Sequence, residues 1–335
     1  MGKDSLKILY IGKFPPYVGG ETTKAYWLLR ALAERGHKIF VISDAWELPT
    51  YWSAKLTVED SDFLQPNGIK LFSTTFHNIP DFIPPYNPKT EKLVSMGIEL
   101  IETLGKPDLI FSWYLIPFSS AAYILQQKYN IPHILHHAGS DVHRLLFSDY
   151  LQDYLIEVIR SANGVITYPS TKEIMEKLNQ NTLIQSYPLN PDPYYIARNY
   201  SKDKKLVTII DNYSEDSEWR EINLSRSERC LNENKPLISI PGKWEKSKGI
   251  YSWLNVANKF NEVCFLLVGN GSPSTRNTVI KMIKDLNNVI WLSFVPLWRM
   301  PEIYGYSDAV GHLEIRFPVP THFSLLALES LLAGK

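Results

Sequence analysis

The chain has 335 residues, enough for two domains that each bury a core. Hydrophobic residues make up 44% and charged residues 21%, ordinary values for a soluble globular protein. Its 35 basic and 35 acidic side chains cancel, which speaks against wholesale nucleic-acid binding, since that draws on a basic excess.

Two cysteines, Cys230 and Cys264, have no C-x-x-C spacing and offer no disulfide framework to infer, so a reducing compartment is the default. The first apolar run, Leu6 to Ile11, is broken by Lys7 and stopped by Lys13. It is too short for a signal peptide or a membrane span. The sequons at Asn199 and Asn212 therefore read as chance matches.

Leu6 to Ile11 predicts a first buried strand. After the loop Gly12 to Gly20 comes a helix with Ala25, Leu28, Leu29 and Leu32 on one stripe, closed by Gly36. Lys38 to Ile42 is the second strand, so the chain opens with a βαβ unit and a parallel sheet. The loop lacks G-x-G-x-x-G, and only Asp44 stands at the end of the second strand, which disfavours a nicotinamide dinucleotide. Gly19-Gly20 precedes the helix start, where absent side chains let a ligand approach the backbone; a simple tight turn is the alternative. Residues 45–95, rich in Pro and aromatics, read as loops over a sheet edge.

Regular alternation resumes with a strand at 108–113, a helix at 117–129 and a strand at 134–136. That strand runs into His136-His137-Ala138-Gly139-Ser140-Asp141, where imidazole and carboxylate suit sugar hydroxyls. A metal held by some of His133, His136, His137, Asp141 and His143 is the rival reading, weakened because consecutive strand residues face opposite sides. A helix at 151–162, a strand at 164–168 and Ser170-Thr171 as a helix N-cap follow.

Residues 187–236 lose the pattern and read as a connection with one embedded strand, Leu206 to Ile210. Leu237 to Ile240 is then a buried strand ending at Pro241-Gly242, followed by a loop with Lys243, Lys246 and Lys248. The helix after Gly249 carries Ile250, Trp253, Leu254, Ala257 and Phe260 on one face. A basic loop entering a helix start suits a diphosphate, because the first N–H groups and the positive end of the dipole face the anion; a solvated surface loop is the bland alternative. Strands at 263–268, 289–292 and 309–313 alternate with helices at 274–285 and 300–306. The last helix carries Glu329 among apolar residues, and the sheet stops there without a further strand, as in an incomplete domain.

Taken together, Gly19-Gly20, Gly36-His37, His137 to Asp141, Gly242-Lys243 with Lys248-Gly249, Val268 to Gly271, and Glu329 resemble the retaining, nucleotide-sugar-dependent glycosyltransferases of the GT-B fold, family 4. The resemblance implies an α/β protein of two Rossmann-like domains, the second incomplete at its C-terminal end. Residues 1–190 would form the acceptor-side domain, 191–235 the connection and 236–335 the donor-side domain. It implies sugar transfer from a nucleotide-diphosphate sugar to a hydroxyl of a polysaccharide, glycolipid or other glycoconjugate, with retention and without a metal or a cofactor beyond that co-substrate. By the same resemblance His137, Asp141, Lys243 and Lys248 are catalytic, and Gly19, Gly20, Gly242, Gly269, Asn270, Gly271, His322 and Glu329 bind the donor. The expected setting is cytoplasmic, with peripheral contact at the inner membrane surface as an option and no nucleic-acid partner. Lys243 stands where an arginine is usual, and Thr321 where the first of two glutamates is usual. A member that binds nucleotide sugar without turnover is the alternative reading.

Overall fold

The computed structural model describes residues 5–47, 49–74, 88–184, 190–200, 204–314 and 324–335. The chain divides into two compact units, Met1–Leu48 with Leu64–Leu189, and Pro49–Phe63 with Asn190–Lys335.

The first unit runs through β1 (Lys7–Ile11), α1 (Gly20–Glu34) and β2 (Lys38–Ser43). After Pro49–Phe63, which packs with the second unit and carries most of α2 (Ser61–Leu64), come β3 (Ile69–Ser73), α3 (Lys89–Leu104), β4 (Leu109–Trp113), α4 (Ser120–Tyr129) and β5 (His133–His136). The unit ends with α5 (Gly139–Leu145), α6 (Gln152–Ser161), β6 (Gly164–Thr167), α7 (Lys172–Leu178) and β7 (Thr182–Ile184). Its seven strands are all parallel, in the order β3-β2-β1-β4-β5-β6-β7. A parallel sheet needs both faces covered, so its strands are continuous apolar runs: Leu9, Tyr10 and Ile11 of β1 are all buried. The strand order reverses between β1 and β4, and the loops after those strands are where an open sheet takes its ligand.

Residues 45–95, expected to be irregular, contain β3 and the start of α3. Leu93, Gly97, Leu100 and Ile101 line the buried side of α3 at helical spacing. The aromatic stretch at 75–87 lies outside the described residues.

The second unit contains α8 (Asp192–Ala197), α9 (Lys204–Tyr213), α10 (Ser217–Asn232), β8 (Leu237–Pro241), α11 (Ile250–Ala257), β9 (Cys264–Val268) and α12 (Pro273–Lys284). It continues with β10 (Val289–Leu292), α13 (Met300–Tyr306), β11 (Ala309–Val310) and α14 (Leu325–Leu332). Its four strands are parallel in the order β10-β9-β8-β11.

Five expectations change here. Residues 191–235, read as a connection, supply three helices to this unit. Leu206 to Ile210, read as a strand, lies in α9, because Leu206, Ile209, Ile210 and Tyr213 recur at helical spacing and pack in the core while Thr208 faces out. The strand at 309–313 shortens to two residues: beyond it the Trp253 ring fills the space beside Gly311, where a Cβ would lie 2.7 Å from the ring. Cys230 and Cys264 form a disulfide that ties α10 to β9. Phe260 falls beyond the end of α11 and is 46% exposed, so it leaves the helical face that Ile250, Leu254 and Ala257 bury.

Candidate functional site

In the first unit the loop after β1 leads through Gly19, the N-cap of α1, to Gly20, its first residue. Among the described residues no side chain caps this helix, which leaves its first N–H groups to a ligand or to water. Lys13 in the same loop places Nζ 5.1 Å from the Tyr17 ring centre and 4.5 Å from that of Tyr114, which follows β4. This aromatic cage therefore sits at the reversal of strand order. Burial lowers the Lys13 pKa, opposed by the carboxylates of Asp44, Glu21 and Asp141.

His137 and Asp141 follow β5, the next strand. The His137 ring is fully buried; its Nε2 lies 2.7 Å from Thr167 Oγ1 and its Nδ1 3.1 Å from the Ala138 carbonyl oxygen. Burial drives its pKa down to about 4, so the ring is neutral at neutral pH. Asp141 Oδ1 is 4.0 Å from His137 Nδ1. Its Oδ2 accepts from the Leu115 N–H at 2.9 Å and its Oδ1 from the Val142 N–H at 2.8 Å. Burial raises this carboxyl to about 7 against those bonds.

His136 points elsewhere, stacking on Trp113 with ring centres 3.8 Å apart, and His133 Nε2 lies 2.7 Å from Ser112 Oγ. The histidines thus diverge, and among the described residues no group of three His, Cys, Asp or Glu is placed to hold a metal. The Thr171 hydroxyl does not cap α7; it lies 3.0 Å from Thr167 Oγ1 and 3.3 Å from His137 Nε2. Lys13, Tyr114, Thr167 and Thr171 were not singled out from the sequence as site residues. Only the topology, which brings the ends of β1, β4, β5 and β6 together, identifies them.

In the second unit the strand order reverses between β8 and β11, and the lysine loop follows β8. Gly242 opens the loop at φ 134, a conformation that favours glycine. A Cβ on Gly269 would lie 2.0 Å from the Gly242 carbonyl oxygen, and one on Gly271 2.9 Å from that of Trp244. These glycines let the loops after β8 and β9 pass in contact. Asn270 between them is buried; its carbonyl accepts from the Trp244 N–H and its Oδ1 from the Gly271 N–H.

Lys243 Nζ lies 4.4 Å from the Trp52 ring centre. Lys248 pairs with Glu314, whose Oε1 is also 3.5 Å from His312 Nε2; both partners follow β11. Gly249, at φ 67, is the N-cap of α11, which like α1 has no side-chain cap among the described residues. The lysine loop and the start of α11 thus lie at the reversal of this sheet, with Lys248 reaching toward the end of β11 and Lys243 toward Trp52.

Glu329 on α14 is 3% exposed and accepts from the Tyr304 hydroxyl at 2.8 Å, with Tyr194 buried beside the same carboxylate. Burial raises its pKa to about 7, against the pull of those hydroxyls. His322 and Thr321 lie outside the described residues.

Among the described residues no helix is long and apolar enough to cross a membrane. No curated protein sequence matches the chain. The family model for Glycosyltransferase Family 4 matches residues 18–178. Among solved structures, a glycosyltransferase from Rickettsia africae ESF-5 is similar with a TM-score of 0.60 at 16% identity, over 99% of this chain and 78% of that one. Anabaena HepE, solved in complex with UDP, is similar with a TM-score of 0.58 at 15% identity, over 98% of this chain and 79% of that one. For sucrose-phosphate synthase from Thermosynechococcus elongatus the values are 0.58 and 15%, over 99% and 80%. Two parallel α/β units, matched along nearly the whole chain, thus make this a protein of the glycosyltransferase-like GT-B fold, with residues 18–178 matching Glycosyltransferase Family 4.

Proposed function

We propose that the protein transfers a sugar from a nucleotide-diphosphate donor to a hydroxyl acceptor, with retention at the anomeric carbon. The observation that carries this reading is the loop of Lys243 and Lys248 entering the start of α11 at the strand-order reversal of the second unit, with Gly249 as the N-cap of that helix. A departing diphosphate develops negative charge on its oxygens, and fixed cations and backbone N–H groups aimed there stabilise it. Loss of one such group costs on the order of 3 kcal/mol in the barrier, about a hundredfold in rate.

Lys248 would exchange Glu314 for a phosphate oxygen when donor binds. Glu329, oriented by Tyr304, would accept from ribose hydroxyls. In the first unit the neutral His137 ring and Asp141 would hold a hydroxyl of the acceptor, near the start of α1 at Gly20. The loop cations supply the charge that a divalent metal supplies in other phosphate sites. The acceptor would be a polysaccharide, a glycolipid or a similar glycoconjugate, reached in the cytoplasm or at a membrane surface.

The burial of Glu329 against Tyr304, together with Thr321 at the place of the first of the two glutamates, favours a second reading: nucleotide-sugar binding without turnover. Incubation with UDP-, GDP- and ADP-sugars, followed by NMR of the product's anomeric proton, separates the two. A product of retained configuration supports transfer. Binding without product supports the second reading, and no binding of any nucleoside diphosphate defeats both.

A further inference from the structure

Pro49–Phe63 follows the second strand of the first unit in sequence, yet it packs as part of the second unit. Three anchors hold it there. Asp60, fully buried, accepts from the Tyr213 hydroxyl and Trp298 Nε1, both at 2.8 Å, and from Arg299 Nε at 3.3 Å. The Lys55 N–H donates to the Phe294 carbonyl at 2.9 Å, and its Nζ to the Ser214 carbonyl at 2.6 Å. Trp52 packs on Phe294 with ring centres 6.3 Å apart, and its own ring centre lies 4.4 Å from Lys243 Nζ. Phe294 and Lys243 follow β10 and β8, so this strap runs past the carboxyl ends of the second sheet, where an open α/β sheet takes ligands.

We infer that Trp52 is a positioning residue for Lys243, a role that rests on the reading of the 242–249 loop as the diphosphate site. A lysine ammonium on a flexible four-carbon stem loses rotamer freedom when it is held in one place. An indole face attracts that ammonium and still allows it to donate to phosphate oxygens on its other side. The anchors at Lys55 and Asp60 keep the indole where it is, so the ordering of Lys243 precedes donor binding.

The test is calorimetric titration of the full chain with UDP, GDP and ADP, comparing wild type with Trp52→Ala, Trp52→Phe, Lys243→Ala and the Trp52→Ala/Lys243→Ala double variant. Trp52→Ala is expected to weaken the diphosphate that wild type binds by about fivefold or more, while Trp52→Phe, which keeps a ring face, stays within about twofold. In the Lys243→Ala background Trp52→Ala should add nothing, because its partner is gone. Unchanged affinity in Trp52→Ala, or an equal loss in both backgrounds, overturns the positioning role. If Lys243→Ala weakens binding and Trp52→Ala does not, only the positioning role falls. If no diphosphate binds wild type, the site reading falls and takes the role with it.

Discussion

Tyr304 donates its hydroxyl proton to Glu329 at 2.8 Å within the buried interior of the second unit, and burial lifts that carboxyl from 4.5 to about 7. The folded chain therefore holds a proton on Glu329 that the unfolded chain releases at lower pH. The stability linked to that proton is complete below about pH 4.5 and is lost as pH rises through 7. Glu329→Gln, which cannot ionise, should match or fall below wild type at pH 4.5 and exceed it at pH 8, by up to about 3 kcal/mol. Urea denaturation at the two pH values measures this. A variant less stable than wild type at both would show that the ionised carboxylate, rather than the acid, belongs in the fold.

The buried histidines act in the opposite direction. Burial lowers His133 from 6.5 to about 3 and His137 to about 4. Both stay neutral in the folded chain while the unfolded chain takes up protons, so their share of stability is present above pH 6.5 and declines as pH falls toward 4. His133→Gln, which retains a polar partner for Ser112, should flatten that acid limb by up to about 3 kcal/mol, read from denaturation midpoints between pH 4 and 7. An unaltered limb would mean that His133 is charged in the fold.

Cys230 and Cys264 are 34 residues apart, and the loop they close carries β8, the lysine loop and α11. Closing a loop of that length stabilises by roughly 4 kcal/mol in the chain-entropy account. Reductant should lower the melting temperature of wild type and leave Cys230→Ala/Cys264→Ala unaffected. Two thiols titrating in unreduced, denatured protein would contradict the bridge.

Asp60 accepts from Tyr213, Trp298 and Arg299 and closes a capping box with Thr57. Burial favours its neutral form, but the hydrogen bonds from Trp298, Thr57 and Tyr213 outweigh it and hold the carboxyl below its ordinary range. Asp60→Ala strands these donors and should destabilise by about 3 to 5 kcal/mol, and it should expose the strap to protease. A loss under about 1 kcal/mol would show that water replaces the carboxylate and that the segment is not anchored through Asp60.

The first sheet was largely legible, because a parallel strand buried on both faces appears as an apolar run bounded by Gly, Pro and charge. The lysine loop was legible for the same reason: β8 and α11 frame it with clear periods. Leu206 to Ile210 misled because a short run of four apolar residues around Thr208 suits a strand or a helix equally. Only the spacing out to Tyr213, set against exposed Thr208, decides for α9. The polar helix α10 read as a connection, since its buried face mixes Trp219 and Cys230 with Asn223, bonded to the Trp291 backbone, and Arg226, bonded to the Val289 carbonyl, and so shows no continuous apolar stripe. Lys13 with Tyr114, and Trp52 with Lys243, are distant in sequence and meet only through topology, which no local pattern encodes.

The most direct test of the diphosphate site is a crystal structure with the nucleoside diphosphate bound. The account predicts phosphate oxygens within about 3 Å of the Lys248 and Lys243 ammonium groups and of the first N–H groups of α11, with Lys248 released from Glu314. A diphosphate seated away from this loop, with the Lys248–Glu314 pair intact, would contradict it.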